Sequence, residues 1–115
     1  MTLALDPANY DAKWDLALLL VNLGRIDESS QFVKPAIQTP NEDPVIRYIY
    51  GRILLARRTF EDATREFDYC LSRKFKISEC LGHLAEISDA LGDGKAAREF
   101  RKRQVELQPA STGTD

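Results

Sequence analysis

A metal or redox site in this 115-residue chain would have to use its two cysteines, Cys70 and Cys80, and its only histidine, His83. Cys80 and His83 lie three residues apart, which places both side chains on one face of a helix. Zinc takes four ligands, or three and a water molecule, and no Cys-x-x-Cys or His-x-x-His pair supplies the remainder. Two thiols are also too few for a disulfide framework. The sequence therefore predicts no metal and no cofactor, with both cysteines as reduced packing residues.

Acid–base chemistry would need paired carboxylates, and Glu86 and Asp89 have helical spacing. Nothing near them in the sequence would desolvate them or separate their pKa values, which that chemistry requires. No glycine-rich phosphate-binding motif is present either. The sequence predicts no catalytic residue, and hence a protein that is not an enzyme.

Nucleic-acid binding would draw on the most basic stretch, from Lys95 to Arg103. Only one aromatic residue, Phe100, lies within it, whereas proteins that bind single strands stack bases on several. The whole chain carries a formal net charge of -2, which argues against a protein built to coat nucleic acid. We therefore predict a solvated helix end at this stretch, with no nucleic-acid partner.

The composition is typical of one globular domain, with 43% hydrophobic and 30% charged residues. The longest apolar run, Leu16 to Val21, is far shorter than the roughly 20 residues of a membrane span. No direct membrane insertion is predicted. A cytoplasmic location is the default expectation, and a signal or anchor upstream of residue 1 would change it to a periplasmic or membrane-tethered one.

The elements that must position these side chains follow from an internal repeat of 34 residues. Small residues and apolar residues recur at this interval in three units, 10–43, 44–77 and 78–111. The recurring sets are Ala17, Gly51 and Ala85; Ser29, Ala63 and Ala97; Leu16, Tyr50 and Leu84; Leu19, Ile53 and Ile87; Leu20, Leu54 and Ser88; and Ile37, Leu71 and Val105. So many columns in register predict three copies of one structural unit.

Each unit is predicted to contain two helices. In the first unit, leucines follow the spacing of an amphipathic helix at Leu16, Leu19, Leu20 and Leu23. A break at Gly24 and Arg25 precedes a second helix with Asp27 as its cap. The other predicted signals are Pro40 and Asn41 as a linker, Asp43 before Pro44 as a helix start, Thr59 and Asp62 as a capping box, the break Gly92-Asp93-Gly94, and Pro109 as the last helix end.

This pattern resembles the tetratricopeptide repeat, through its 34-residue period, its small-residue columns and its breaker positions, over residues 10–111. The resemblance implies an all-α fold, a helix-turn-helix repeat solenoid of three tandem units and six helices. Three departures affect individual contacts. The aromatic that opens the motif is displaced to Trp14, Arg58 replaces the turn glycine of unit two, and Arg101 replaces the apolar plug that Val33 and Phe67 supply.

The two ends of the array are predicted to differ. Residues 1–9 are similar to the last turn of a preceding unit, which suggests a fragment of a larger protein. Residues Arg101 to Gln104 place polar groups where a fourth unit would pack, as expected of a terminal repeat. Residues 112–115 are predicted to form a frayed tail.

In this repeat family the first helices line a concave groove, and the resemblance assigns the groove residues. They are Trp14, Leu18 and Val21 in unit one, Tyr48, Arg52 and Leu55 in unit two, and Gly82, Glu86 and Asp89 in unit three. The groove would run from an aromatic, aliphatic half to an acidic end. We predict that the first six form a partner-binding site, and the alternative is that Trp14 and Leu18 pack against a preceding repeat.

The predicted function is a protein–protein interaction scaffold that binds a helix or apolar segment of a protein or peptide partner in the groove. One alternative is a structural or self-assembly segment that associates through its N-terminal end. Another is a targeting arm of a larger enzyme or of an assembly or secretion machine.

Overall fold

The computed structural model describes residues 10–38 and 43–107 of the chain. Over these residues the protein is all-helical, with six helices and no strand: α1 (Tyr10–Asn22), α2 (Ile26–Ile37), α3 (Pro44–Ala56), α4 (Phe60–Ser72), α5 (Ile77–Ala90) and α6 (Gly94–Leu107). The predicted remnant at 1–9, the linker signals Pro40 and Asn41, Pro109 and the tail at 112–115 lie outside the described residues. None of the six helices is long and apolar enough to cross a membrane.

The predicted helix starts at Asp43 and Thr59 are correct in position, the start at Asp27 is wrong, and the capping box at Thr59 is not formed. The Asp43 carboxylate accepts a hydrogen bond of 2.9 Å from the Val45 amide, with Pro44 in the first turn, so that cap is confirmed. Asp27 lies inside the first turn of α2, because the tight turn after α1 lets the helix begin at Ile26. Thr59 precedes α4 but makes no side-chain cap hydrogen bond, and Asp62 pairs with Arg65.

The turns within three successive helix pairs use a left-handed residue at positions 34 apart. The φ angles are 80° at Gly24, 61° at Arg58 and 84° at Gly92. Glycine adopts this conformation without steric cost, whereas arginine does so with strain. The replacement of the turn glycine by Arg58 therefore leaves the turn conformation unchanged. The Arg58 guanidinium lies 4.9 Å from the ring centroid of Phe60, a favourable cation–π contact.

The apolar core forms two clusters along the chain. In the first, residues of α1 and α2 pack on Ile46, Ile49 and Ile53 of α3. In the second, residues of α3 and α4, including Tyr48 and Phe67, pack on Cys80, Leu84 and Ile87 of α5. Consecutive helices contact one another throughout, and α1 also contacts α3.

Small residues are buried where the two helices of a pair approach most closely. A Cβ atom added at Gly51 would lie 3.0 Å from the Phe67 ring. Ala17 also contacts α2, since its carbonyl oxygen accepts a 2.7 Å hydrogen bond from the buried Ser29 hydroxyl. The side-chain volume at these positions therefore limits how closely the helices can pack.

The leucine stripe predicted for α1 is divided between two environments. Leu20 is buried and Leu16 is half-buried, but Leu19 is 51% exposed and Leu23 is 60% exposed. Helical periodicity identifies an apolar stripe, but which part of the stripe is buried depends on where α2 and α3 lie. Ile53 and Ile87, which follow Leu19 at intervals of 34, are 0% and 3% exposed.

The last helix pair exposes apolar side chains, including Leu91 and Val105, beside polar side chains that bond to one another. Arg101 of α6 donates a 2.5 Å hydrogen bond to Asp89 of α5, an ion pair that is about half exposed. Gln104 donates a 2.9 Å hydrogen bond to the Ser78 carbonyl oxygen. These polar side chains thus bond to each other and to the backbone within the last helix pair.

Candidate functional site

A surface depression of about 360 Å³ lies where α1, α3 and α5 approach one another. Its lining combines aliphatic side chains with a cation, an imidazole and a carboxylate. The lining residues are Val21, Gly24, Ile26, Arg52, Leu55, Ala56, His83 and Glu86. Its volume lies within the range of about 300–1,000 Å³ that is typical of binding pockets.

Three of the six predicted site residues, Val21, Arg52 and Leu55, line this depression together. Val21 and Leu55 are the next-to-last residues of α1 and α3, and Arg52 lies about one turn before the end of α3. Leu18 is half-buried and packs against both core clusters. The helical spacing of Leu18 and Val21 therefore predicts their shared helix face, but only Val21 reaches the depression.

The other two predicted site residues, Trp14 and Tyr48, are buried within the chain. Their exposed fractions are 4% and 3%, so neither ring forms an exposed aromatic patch. Trp14 packs in the first core cluster, among residues that include Val33 and Ile49. Burial against residues of α2 and α3 means that this indole needs no preceding repeat to cover it.

Tyr48 is the start of a hydrogen-bonded chain that leads to the edge of the depression. Its hydroxyl lies 3.0 Å from Nε2 of His83, and Nδ1 of His83 lies 3.1 Å from a Glu86 carboxylate oxygen. An ionised carboxylate only accepts, so Nδ1 donates to Glu86 and Nε2 accepts from the Tyr48 hydroxyl when the imidazole is neutral. The chain fixes the orientation of the imidazole at the edge of the site.

The pKa shifts in this chain keep both ring groups neutral. Burial lowers the pKa of His83 below its usual value, against the raising effect of Glu86. Burial also raises the pKa of Tyr48, so its hydroxyl remains protonated and able to donate. A tyrosine nucleophile would need the opposite shift. The arrangement therefore suits positioning of a polar edge better than covalent chemistry.

Aromatic rings also pack against the His83 imidazole. The His83 ring stacks on Phe67, with ring centroids 5.0 Å apart and planes inclined by 26°. Tyr48 meets Phe67 edge to face at 5.9 Å and Phe75 at 6.2 Å. Residues of α3, α4 and α5 thus contribute to one rigid support beneath the depression.

Arg52 forms the basic part of the edge. It donates a 2.9 Å hydrogen bond to the side-chain oxygen of Asn22, which connects α3 to the end of α1. This contact is exposed. Arg52 and Glu86 place opposite charges among the residues that line the depression.

The acidic end predicted for the groove is only partly assembled. Glu86 lies at the edge of the depression with its side chain 62% exposed. Gly82 faces α6 instead, because a Cβ atom there would lie 2.9 Å from Gln104. Asp89 is bound to Arg101. The charge available to a partner at this end is therefore that of Glu86.

The two cysteines are fully buried and reduced. A hydrogen bond shared with Cys70, together with burial, raises the pKa of the Cys80 thiol, which makes it unreactive. Among residues 10–38 and 43–107, no group of three or more His, Cys, Asp or Glu side chains is placed to hold a metal ion.

The contact between Tyr48 and His83 was not predicted from the sequence. The two residues are 35 apart, which is one repeat plus one residue, so they lie at nearly the same level on α3 and α5. That spacing is visible in the sequence, but His83 was interpreted there only as a potential metal ligand together with Cys80. Gly24, in the turn after α1, and Ile26, the first residue of α2, were also not predicted as site residues, because hydrophobic periodicity does not locate the junction between two helices.

Comparisons with protein-family models, with curated proteins and with solved structures find no match for this chain.

Proposed function

We propose that the protein is a protein–protein interaction module that binds an apolar segment of a partner in the depression between α1, α3 and α5. The observation that carries this proposal is the convergence of apolar Val21, Leu55 and Ala56 with the polar groups Arg52 and Glu86 around one depression. A few polar groups among apolar ones are typical of recognition sites.

The proposed architecture is a solenoid of three helix-turn-helix units of the tetratricopeptide type. Three features support it: the small-residue columns are buried where helices meet, left-handed turn residues recur at intervals of 34, and each helix packs on its sequence neighbours. In such an array the first helix of each unit contributes to a common face. Five of the eight residues that line the depression come from the helices at α3 and α5.

The partner segment would insert a side chain into the depression and place polar groups at its edge. Aliphatic lining residues exclude water from an inserted apolar side chain, which favours binding through the hydrophobic effect. Arg52 supplies donors and Glu86 supplies acceptors, so a segment with both polar types suits the site. An amphipathic helix meets both requirements at once.

The burial of Trp14 and Tyr48 changes the part that aromatic residues play in this proposal. They do not supply energetic anchors to the interface. Tyr48 instead orients His83 through its hydroxyl, and the large apolar anchor must come from the partner. This arrangement agrees with interfaces in which a residue of one protein fills a pocket of the other.

A selection from a library of peptides displayed on phage, with the whole chain as target, tests the proposal. Ala56 is exposed and lines the depression, so Ala56→Arg fills the site without removing a core side chain. Leu91→Arg is the matched control, because Leu91 is exposed and lines a separate depression of about 350 Å³ beside Phe60.

We expect the selected peptides to be amphipathic and to bind at least about tenfold more weakly to Ala56→Arg than to the unmodified protein. Leu91→Arg should leave binding unchanged. Peptides that bind both variants equally well, with helicity preserved, would remove the depression from consideration.

A further inference from the structure

One lining residue of the depression, His83, belongs to the residue type whose charge changes most readily near neutral pH. Histidine is the side chain whose usual pKa puts its change of charge between about pH 5 and about pH 8. The sequence contains a single histidine. Its imidazole lines the depression, while its side chain is only 18% exposed. A change of charge at this position therefore changes the surface that a partner would contact.

Groups from several elements act on this imidazole or on the two side chains bonded to it. The charged and titratable ones are Tyr48 and Arg52 of α3, Lys76 in the turn before α5, Glu79, Cys80 and Glu86 of α5, and Arg101 of α6. Helix α4 contributes the neutral ring of Phe67. Burial and the positive charge of Arg52 outweigh the two carboxylates, so the pKa of His83 lies below its usual value.

The bond between His83 and Tyr48 requires the neutral imidazole. In that form Nε2 accepts from the Tyr48 hydroxyl over 3.0 Å, while Nδ1 donates to Glu86. A proton on Nε2 replaces this acceptor by a second donor, so that two donors face each other. If the hydroxyl rotates to accept, its own hydrogen loses its acceptor, because the rings of Phe67 and Phe75 pack against Tyr48. Protonation therefore either breaks the bond or leaves a buried donor unsatisfied, which costs free energy.

A positive charge on the imidazole is repelled on the Tyr48 side and attracted on the Glu86 side. The Lys76 ammonium lies 5.6 Å from the centroid of the Tyr48 ring, and the charge of Arg52 acts on the Tyr48 hydroxyl. The Glu86 carboxylate lies 3.1 Å from Nδ1, and its side chain is 62% exposed. A hydrogen bond between two charged groups is stronger than one with a neutral donor. The protonated ring is therefore drawn away from Tyr48 and towards Glu86.

We propose that His83 is a pH switch for the depression: its protonation breaks the bond with Tyr48, draws the imidazole towards Glu86 and weakens the binding of the partner segment. An apolar side chain inserted among the aliphatic lining residues would cover a charged ring, and burial of a charge is costly. The partner thus prefers the neutral form, so binding is strongest above the pKa of His83 and weakens as the pH falls through it. This last step rests on the proposed function, whereas the loss of the Tyr48 bond occurs in the free chain.

Fluorescence anisotropy with the tightest phage-selected peptide that lacks histidine tests the switch on the whole chain, at about pH 7.5 and about pH 5.0. We expect the dissociation constant to be at least about threefold larger at the lower pH, which corresponds to one third of His83 remaining neutral. His83→Gln is the matched control, because glutamine is polar and cannot change its charge. The ratio of its two dissociation constants should be close to one. This variant keeps every carboxylate of the site and the peptide, so it also corrects for their protonation.

Nuclear magnetic resonance of the free chain tests the structural step without a partner. The single imidazole gives one titration curve, and the Tyr48 ring signals, which Tyr48→Phe identifies by their loss, should change with the same midpoint. Tyr48→Phe should also raise the midpoint of His83, because it removes a hydrogen bond that favours the neutral ring. Tyr50→Phe, on the same helix, should leave that midpoint unchanged.

Two results would overturn the switch. The first is a titration of His83 in the free chain that leaves the Tyr48 signals unchanged. The second is the same pH dependence of binding in the unmodified protein and in His83→Gln, for a peptide that Ala56→Arg weakens. A peptide that Ala56→Arg does not weaken refutes the proposed function instead, and the titration of His83 and Tyr48 then decides on the switch by itself.

Discussion

Removal of the Tyr48 hydroxyl tests the hydrogen-bonded support beneath the candidate site. Tyr48→Phe keeps the ring and its contacts with Phe67 and Phe75, but it removes the 3.0 Å hydrogen bond to Nε2 of His83. A typical hydrogen bond contributes about 1 kcal/mol to stability, and an unsatisfied buried partner costs about 1–3 kcal/mol. The His83 side chain is 18% exposed, so water can reach it in part. We therefore expect a loss of about 1–1.5 kcal/mol in the free energy of unfolding.

Urea denaturation followed by circular dichroism measures this loss, and a double-mutant cycle with His83→Ala assigns it. In the His83→Ala background the hydroxyl has no imidazole to bind, so Tyr48→Phe should cost little. Tyr50→Phe is a control on the same helix. If Tyr48→Phe costs the same free energy in both backgrounds, the Tyr48 hydroxyl does not stabilise the protein through His83.

Three further predictions concern stability. Because burial lowers the pKa of His83 below 6.5, the contribution of its neutral form to stability is complete above that pH and declines as the pH falls. The urea midpoint should therefore decrease more for the unmodified protein than for His83→Gln between about pH 7.5 and about pH 5.5. Equal decreases would contradict this prediction. Gly24→Ala places a side chain at a φ of 80° and should cost about 1 kcal/mol, whereas Gly94→Ala, inside α6, should be neutral or stabilising in thermal unfolding. Gly51→Ala should lower the melting temperature because its Cβ would meet the Phe67 ring. Gly82→Ala displaces only the end of the Gln104 side chain and should change the melting temperature little. A larger decrease for Gly82→Ala than for Gly51→Ala would mean that the close approach of α3 and α4 does not limit packing.

The helices were largely predictable from the sequence because their signals are local. Leucine spacing located α1, and the break at Gly24 and the cap at Asp43 located two helix ends. The cap at Asp27 was wrong, and Thr59 occupies the cap position without the predicted side-chain hydrogen bond, since a capping side chain must also have a suitable backbone geometry. The sequence alone does not show that α2 begins at Ile26, so that Arg25 and not Asp27 occupies its cap position.

The candidate site was less predictable, because burial depends on neighbouring helices. Trp14 and Leu19 both belong to apolar spacings on α1, yet the indole is buried against α2 and α3 while the leucine is exposed. Periodicity gives the relative angles of side chains on one helix but not the positions of the helices around it. The hydrogen bond between Tyr48 and His83 is equally non-local, and only the packing of α3 on α5 brings the two residues together.

The most direct test of partner binding in the depression is chemical-shift mapping by nuclear magnetic resonance with the tightest phage-selected peptide. If the partner binds in the depression, the largest shifts should occur at Val21, Leu55, Ala56 and His83, while residues of the depression beside Phe60 and Leu91 should show no shift. Shifts centred on Phe60 and Leu91, or spread over the surface without a maximum between α1, α3 and α5, would contradict the central claim.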